Sequence, residues 1–303
     1  MPRILLFGKT GQVGWELQRS LVPLGRVIAP DRTQTDLTNA DSIRQAIRDA
    51  APDIIVNAAG YTAVDKAESE PDLAMQINAV APEVMAEEAK RLNALLVHYS
   101  TDYVFDGTKG TPYVEADAPN PLNAYGESKL EGEWAIAATG CAHLILRASW
   151  IYSSRGTNFV LTVLKLARER EELAVVDDQI GSPSWARALA QTSAELLGKV
   201  RRTKEETGIY HLSASGYTSR YDFAKKIVEI ARELSGEKEG WATVRPIKNA
   251  EYPLPAKRPL NAATSKEKIK RVFGIEMPVW TEQLYSYLHE SAAVQSNSRR
   301  AAI

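Results

Sequence analysis

The first fourteen residues place a short apolar strand directly before a glycine-rich turn and a helix, and this order constrains the fold more than any other feature. The apolar run at residues 4–7 suits a strand buried on both faces of a parallel sheet. Gly8, Gly11 and Gly14 follow with GxxGxxG spacing, and a helical pattern begins at Trp15. Glycines let the backbone turn tightly, and the N–H groups at a helix start attract negative charge. The stretch predicts a pyrophosphate-binding turn, although an ordinary glycine-rich strand-to-helix turn is the alternative.

The charge balance and the single cysteine restrict the class of protein. The chain has 303 residues, with 37 Lys and Arg against 38 Asp and Glu, so it offers no overall basic field for nucleic acid. Cys141 is the one cysteine, which rules out an internal disulfide and fits a reducing compartment. No apolar stretch is long enough to cross a membrane. We therefore expect a cytoplasmic protein that binds neither nucleic acid nor membrane.

Strand-like and helix-like segments alternate through the first half of the chain. This order predicts an α/β fold, a Rossmann-type doubly wound parallel sheet, for an NAD(P)-binding domain at residues 1–175. Residues 176–303 are expected to form a smaller α/β domain that mainly binds substrate. Within it, residues 208–212 have the pattern of a strand that returns to the Rossmann sheet, and residues 291–303 that of a frayed tail.

The end of the second predicted strand carries two charged residues of opposite sign. An acidic residue at this place binds the adenosine ribose in dinucleotide-binding folds, which makes Asp31 a candidate. Arg32 beside it could accept a 2′-phosphate. The alternative, which applies more to Arg32 than to Asp31, is that the two side chains are solvated loop charges. Asp31 favours NADH and Arg32 favours NADPH, so the sequence leaves the choice of cofactor open.

Polar residues follow the fourth predicted strand, where ligands bind in open α/β sheets. Thr101 and Asp102 come at this end, and Tyr125 and Lys129 lie four residues apart downstream, on one face of a helix. A Tyr hydroxyl has a pKa near 10, and a nearby ammonium lowers that pKa by stabilising the tyrosinate. Tyr-x-x-x-Lys alone usually marks a solvated helix face. Together with Thr101, which could hold a substrate oxygen beside Tyr125, the pair predicts proton transfer.

These features resemble the extended short-chain dehydrogenase/reductase family. The resemblance is carried by the glycine turn, the Asn-Ala-Ala-Gly sequence at residues 57–60, Thr101 and the Tyr125/Lys129 pair. Within this family, four segments are similar to the dTDP-4-dehydrorhamnose reductases. They are residues 5–17, 63–68, 100–107 and 147–150.

The resemblance implies a reaction and a role for each matching residue. NADPH or NADH would reduce the C4 keto group of dTDP-4-dehydro-L-rhamnose to give dTDP-L-rhamnose, in the biosynthesis of cell-surface polysaccharide. Tyr125 would donate the proton with help from Thr101, and Lys129 would hold the nicotinamide ribose. The implied cofactor-binding residues are Gly8, Gly11, Gln12, Val13, Gly14, Asp31, Arg32, Asp36, Leu37, Gly60, Tyr61, Thr62, Tyr99, Tyr125 and Lys129. The implied substrate-binding residues are Thr101, Asp102, Trp150 and Arg258, of which Arg258 could instead be an ordinary surface arginine.

One position departs from the family pattern. Some members form a homodimer across a magnesium site built from glutamates, and Glu16 and Glu290 match two of those positions. Arg187 occupies the third, and a guanidinium cannot bind a cation but can neutralise carboxylates. We therefore expect no metal site, and any homodimer to be independent of magnesium.

Two alternatives share much of this pattern. A sugar-nucleotide dehydratase or epimerase has the same turn and Tyr/Lys pair, but a dehydratase normally carries an Asp-Glu pair after the strand-four threonine. Here Asp102 is followed by Tyr103, which argues against elimination. A non-catalytic NADP-binding regulatory subunit also resembles these reductases, and only a turnover assay separates it from an enzyme.

Overall fold

The computed structural model describes residues 1–203, 205–237 and 239–301, with side chains as far as Ser291. The strands are β1 (Arg3–Phe7), β2 (Arg26–Ile28), β3 (Ile54–Asn57), β4 (Leu95–Thr101), β5 (His143–Ala148), β6 (Ile151–Tyr152), β7 (Glu172–Val176), β8 (Ile180–Gly181), β9 (Ser184–Trp185), β10 (Gly208–His211), β11 (Thr218–Ser219) and β12 (Thr243–Ile247). The helices are α1 (Gln12–Ser20), α2 (Ala40–Ala50), α3 (Val64–Ala67), α4 (Pro71–Met75), α5 (Ala81–Leu92), α6 (Ala124–Thr139), α7 (Phe159–Glu169), α8 (Ala186–Lys199), α9 (Arg220–Ser235), α10 (Glu267–Phe273) and α11 (Trp280–Ala301). A π-helical turn, Gln76–Val80, joins α4 to α5, and 3₁₀ turns lie at Val22–Leu24, Asp102–Val104 and Asn249–Glu251.

Six parallel strands form the central sheet in the order β10-β5-β4-β3-β1-β2. The chain runs from β1 to β2 on one side and then crosses to β3 on the other side of β1. The strand order therefore reverses at β1, and ligands bind outside the carboxyl ends of the strands at such a point. The sheet and its helices confirm the predicted Rossmann-type fold.

Helices cover both faces of the sheet because successive residues of its strands point to opposite sides. In β1, Ile4 and Leu6 belong to the core that includes α1 and α8, whereas Leu5 and Phe7 belong to the core that includes α2 and α5. All four side chains are nearly fully buried. Apolar residues in direct succession thus produce the doubly wound arrangement.

The C-terminal part of the chain contributes to two regions. β10 extends the central sheet by pairing with β5, while β7 and β12 form a separate parallel pair against which α9 packs. The division at residue 175 remains a prediction. The backbone of α11 is helical to Ala301, whereas we expected a frayed tail over residues 291–303; Ala, Gln, Ser and Arg are compatible with a helix that is already formed. Residues 302–303 lie outside the described part.

In the described ranges, 1–203, 205–237 and 239–301, we find no helix with the length and apolar character needed to span a membrane.

Helix α6 is in backbone contact with its neighbours, because glycines face them. A Cβ atom on Gly132 would lie 2.1 Å from the carbonyl oxygen of Asn78 in the π-helical turn. One on Gly126 would lie 2.3 Å from the carbonyl oxygen of Tyr103. Real Cβ atoms do not approach so closely, so both positions require glycine. The close packing fixes the helix that carries Tyr125 and Lys129.

Gly132→Ala should therefore destabilise the protein by about 1–3 kcal/mol, the usual cost of overpacking, although alanine is the better helix former. Gly198→Ala is the matched control, because a Cβ there meets only the Leu24 side chain at an ordinary 3.8 Å; it should gain about 0.5–1 kcal/mol. Chemical denaturation of both variants measures the difference. Equal stability of the two variants would contradict the packing argument.

Candidate active site

The glycine turn after β1 has the geometry that the sequence predicts. Gly8 has φ +89°, and a Cβ on it would lie 2.6 Å from the backbone nitrogen of Ala59 at the end of β3. A Cβ on Gly14 would lie 2.0 Å from the carbonyl oxygen of Gly8. Gly11 caps α1 and offers no side chain to its first N–H groups. Those groups therefore remain suited to hold an anion at the helix start.

A cleft of about 780 Å³ opens at the carboxyl ends of β1, β3 and β4, and a volume of this size suits a cofactor site. Most of the predicted cofactor residues line it, namely Gly8, Gly11, Gln12, Val13, Asp31, Arg32, Asp36, Leu37, Gly60, Thr62, Tyr99, Tyr125 and Lys129. Gly14 and Tyr61 are not part of its wall. Gly14 lies beneath the turn, and the Tyr61 hydroxyl donates to Glu70 at 2.6 Å.

The cleft also has a wall that sequence reasoning missed. Gly156 and Thr157 line it, and their segment is tied to the glycine turn through Gln12. The Gln12 side-chain oxygen accepts hydrogen bonds from Ser153 Oγ at 3.0 Å and Asn158 Nδ2 at 3.1 Å. Nothing in the local sequence of this segment signals that contact, because it joins residues more than 140 positions apart.

The predicted adenosine end carries charges of both signs. Asp31 accepts from Thr33 Oγ1 at 2.6 Å and pairs with Lys9 at 3.4 Å, and the Thr33 hydrogen bond holds the pKa of Asp31 below its usual value. The backbone N–H of Thr38 lowers the pKa of Asp36 in the same way. Arg32 lines the cleft beside them. Lys9 and Arg32 thus offer two cations where a ribose 2′-phosphate would bind, and the residues present fit NADPH.

Tyr125 and Thr101 meet because α6 begins beside the end of β4. The Asn123 side chain caps α6 by accepting from the Gly126 N–H at 2.8 Å, which places Tyr125 in the first helical turn. Thr101 is buried; its Oγ1 donates to Asp102 Oδ1 at 3.2 Å and accepts from the Tyr103 N–H at 3.1 Å. Burial raises the pKa of Tyr125, and the nearby Thr101 side chain offsets only part of this rise. The Tyr125 side chain is therefore a neutral hydroxyl that can donate a proton.

Lys129 is buried one helical turn after Tyr125. Its Nζ donates to the Tyr99 carbonyl at 2.6 Å and lies 3.0 Å from His98 Nε2. Burial lowers the pKa of Lys129 to about 8. The sequence-based expectation that Lys129 lowers the pKa of Tyr125 differs from what the structure shows, because desolvation dominates at both groups and favours their uncharged forms.

The predicted sugar-binding residues lie beyond Thr101. Asp102 is buried and accepts from Ser149 Oγ at 2.6 Å, and burial raises its pKa to about 6. Trp150 has φ +42°, an uncommon conformation for a residue with a bulky side chain. The Arg220 guanidinium stacks 3.6 Å from its ring centroid, and a Cβ on Gly181 would touch the ring at 2.4 Å. These contacts hold Trp150 at the end of β5.

Arg258, the predicted partner of the substrate pyrophosphate, pairs with a carboxylate. Its two terminal nitrogens donate to Asp65 at 2.8 and 2.7 Å, and this bond lowers the pKa of Asp65. The pair joins the 63–68 segment to the segment before Arg258. Sequence reasoning missed two further cations on this side, Arg220 and Lys266. Both act electrostatically on the Asp102 carboxylate, and neither belongs to a recognisable motif.

The residues proposed for a family magnesium site do not fit one. Arg187 pairs with Glu16 at 3.4 Å and with Glu290, and Arg19 also pairs with Glu16 at 2.8 Å. The two carboxylates are thus neutralised by guanidinium groups. In the part of the chain that the structure describes, no group of three or more His, Cys, Asp or Glu side chains could hold a metal ion.

The raised pKa of Asp102 predicts how stability depends on pH. An unfolded Asp titrates near 3.9 and the folded group near 6, so the folded state binds more protons between these values and stability falls as pH rises through them. Asp102→Asn removes this titration. Its stability relative to wild type should therefore be greater near pH 8 than near pH 4, by up to about 3 kcal/mol for a shift of about two pKa units.

Thermal or chemical unfolding at the two pH values measures this difference. Asp106→Asn is the control, because the Thr108 backbone N–H lowers the pKa of Asp106. Asp106 therefore titrates below about pH 4 in both the folded and the unfolded state, and this variant should lose nearly the same stability at the two pH values. If Asp102→Asn changed stability equally at both pH values, Asp102 would not have a raised pKa.

The sheet order, the glycine turn and the Thr101, Tyr125 and Lys129 cluster define an extended short-chain dehydrogenase/reductase. Residues 2–293 match the family described as "RmlD substrate binding domain". Over 291 residues the chain is 46% identical to a dTDP-4-dehydrorhamnose reductase of Escherichia coli strain K12, covering 95% of this chain and 97% of the relative. The chain therefore belongs to the RmlD family of dTDP-4-dehydrorhamnose reductases.

Solved structures agree with this assignment. A crystal structure of dTDP-4-dehydrorhamnose reductase from Bacillus anthracis, in complex with NADP, superposes with a TM-score of 0.87 at 36% identity and covers 95% of this chain and 99% of its own. A UDP-glucose 4-epimerase from Thermus thermophilus, in complex with NAD, is only 17% identical but has a TM-score of 0.76 over 95% of this chain and 98% of its own. The second likeness shows the shared fold alone.

Proposed function

We propose that this protein reduces the C4 keto group of dTDP-4-dehydro-L-rhamnose with NADPH and produces dTDP-L-rhamnose. The observation that carries the proposal is the placement of Tyr125 and Lys129 in the wall of a nucleotide-sized cleft, with the buried Thr101 at the end of the neighbouring strand β4. The 46% identical relatives named dTDP-4-dehydrorhamnose reductase support the substrate. The reaction would serve the biosynthesis of cell-surface polysaccharide.

The residues of the site divide the chemistry between them. The bound nicotinamide supplies the hydride that reaches C4 of the sugar. Tyr125 donates its hydroxyl proton to the C4 oxygen, and its raised pKa keeps that proton in place until the oxygen becomes an alkoxide. Thr101 orients the same oxygen by hydrogen bonding. Lys129 holds the nicotinamide ribose next to Tyr125.

We propose NADPH in preference to NADH because of the charges at the adenosine end. Asp31 is already paired with Lys9 and Thr33, which leaves it less available to bind ribose hydroxyls. Arg32 lines the cleft and lies close enough to Asp36 to act on its charge. The NADP complex of the Bacillus anthracis relative supports the same cofactor.

The sugar nucleotide is proposed to bind between the sheet and the C-terminal region, residues 176–303. Asp102 and Trp150 would contact the sugar. Arg258 would contact the pyrophosphate, to which it would have to turn from Asp65. Arg-to-carboxylate and Arg-to-phosphate bonds have the same bidentate geometry, which supports such an exchange.

Two other functions have weaker support. The likeness to epimerases is confined to the fold, at 17% identity, and Tyr103 stands where a dehydratase normally has its second carboxylate. A non-catalytic NADP-binding subunit would keep the cleft without turnover. The completeness of the Thr101, Tyr125 and Lys129 cluster favours the enzyme.

Tyr125→Phe should retain NADPH binding and lower kcat by about 10²–10⁴-fold, the usual contribution of a general acid. The reason is that only the donated proton is removed, while the ring still fills its site. Fluorescence titration with NADPH and a turnover assay with dTDP-4-dehydro-L-rhamnose measure the two effects separately.

Tyr285→Phe is the control, because this tyrosine is 45% exposed on α11; its kcat should equal that of the wild type. Near-normal turnover of Tyr125→Phe would remove Tyr125 from the mechanism. Wild-type protein that binds NADPH but turns over neither nicotinamide cofactor would favour the regulatory role.

We also propose a cytoplasmic location, supported by the single unpaired Cys141.

A further proposal is a homodimer that does not depend on magnesium. The pairing of Arg187 with Glu16 and Glu290 supports this independence of magnesium. Addition of Mg²⁺ should leave the molecular mass in size-exclusion chromatography unchanged. Arg187→Glu brings three carboxylates together, and Mg²⁺ should raise the melting temperature of this variant alone. A change of mass of the wild-type protein on adding Mg²⁺ would contradict the proposal.

A further inference from the structure

Behind Lys129 lies a row of buried polar side chains that the proposed reaction does not use. Asn57 at the end of β3 and His98 in β4 are opposite each other in the sheet register, and they are 1% and 0% exposed. Asn57 Nδ2 lies 3.1 Å from His98 Nδ1, and His98 Nε2 lies 3.0 Å from Lys129 Nζ. The row connects the sheet to the helix that carries the catalytic pair.

The backbone sets the direction of the first hydrogen bond. The Asn57 side-chain oxygen accepts from the Ala59 N–H at 3.1 Å, so the Asn57 amide group facing His98 is its NH₂ donor. His98 Nδ1 must then be the acceptor. Burial lowers the pKa of His98 well below its usual value, so the ring is neutral and carries one proton. That proton is therefore on Nε2.

The Nε2–H group of His98 points at Lys129. An ammonium has three donors and no acceptor, so a charged Lys129 would bring two N–H groups against each other. An uncharged amine accepts from His98 Nε2 through its lone pair and still donates to the Tyr99 carbonyl at 2.6 Å. All the hydrogen bonds in the row can form together only when Lys129 is an amine.

We propose that His98, oriented by Asn57, is a positioning residue that donates its Nε2 proton to the uncharged amine of Lys129 in the ligand-free protein. The inference rests on the proposed function only for the role of Lys129 in catalysis. His98 contacts neither of the two expected ligands and acts through Lys129. It holds the amine at one point, between its ring and the Tyr99 carbonyl.

The other charged group near Lys129 is compensated by its own partners. Glu133 lies one turn further along α6, where its charge favours the ammonium form of Lys129. Arg147 of β5 binds both Glu133 oxygens, with the closest nitrogen at 2.6 Å, and Ser100 Oγ of β4 donates to the same carboxylate at 2.5 Å. Burial of Lys129 also favours the amine and lowers the lysine pKa to about 8, so the amine is the main form above about that pH.

The first test uses the wild-type protein without cofactor or sugar. Nitrogen-15 NMR of the imidazole rings reports which ring nitrogen carries the proton, and the chain has only four histidines to assign. We expect the Nε2–H form for His98. The Nδ1–H form, or a charged ring near pH 7, would overturn the proposal whatever the variants do.

The second test follows the titration of Lys129 by NMR of ¹³C-labelled lysines, with its signal assigned through Lys129→Arg. Wild-type Lys129 should titrate below the exposed lysines. In His98→Gln the amide can turn its oxygen toward Lys129 and accept from an ammonium, so the titration should shift upward by about one pKa unit or more, a tenfold change in proton affinity.

His211→Gln is the matched control, because His211 is also fully buried but lies on β10, with β5 between it and β4. This variant should leave the Lys129 titration unchanged. An unshifted titration in His98→Gln, or an equal shift in both variants, would overturn the proposal. Because the ligand-free protein is measured, the result is independent of whether the enzyme reduces the proposed sugar.

Discussion

The buried ion pair between Glu133 and Arg147 holds the reacting side chains together. Glu133 is 1% exposed on α6, Arg147 is 2% exposed on β5, and two guanidinium nitrogens contact the carboxylate at 2.6–3.2 Å. Removing one member of such a buried pair typically costs 3–5 kcal/mol, because the other charge is left uncompensated. Ser100 donates to the same carboxylate. The pair thus fixes the helix bearing Tyr125 and Lys129 against β5, and the Ser100 hydrogen bond ties the same helix to β4, which ends at Thr101.

Burial then decides the charge state of the site. It raises the pKa of Tyr125 and lowers that of Lys129, so both groups move toward their uncharged forms. A neutral tyrosine hydroxyl suits a reduction, in which the enzyme must deliver a proton as well as a hydride. The His98 contact with Lys129 acts in the same direction. The ligand-free site is therefore shifted toward a neutral pair, and away from the tyrosinate and ammonium that residue spacing alone would suggest.

Local sequence was sufficient for the parts of the site that depend on neighbours in the chain. The glycine turn, the polar end of β4 and the four-residue spacing of Tyr125 and Lys129 each follow from strand and helix periodicity. Contacts between distant segments had no such signal. The bridge from Gln12 to Ser153, the pairing of Arg258 with Asp65, and the position of Arg220 all depend on how separate elements pack.

The direction that the sequence predicted for the Tyr125 pKa shift was wrong for the same reason. Sequence shows that a lysine follows at helical spacing, but it does not show that Lys129 turns to the Tyr99 carbonyl and His98. It also does not show that Lys129 is buried and that Tyr125 lies partly buried in the wall of the cleft. The fold class was predictable because the order of strands and helices is a property of the whole chain.

Isotope transfer would test the central claim most directly. The protein would be incubated with dTDP-4-dehydro-L-rhamnose and NADPH deuterated at C4 of the nicotinamide, and the product examined by proton NMR. The account predicts dTDP-L-rhamnose that carries deuterium at C4 of the sugar when the transferred position is the labelled one. The experiment uses two cofactors, each labelled on one face of the nicotinamide. If neither of them gave a product with deuterium at C4, hydride transfer to C4 would be contradicted.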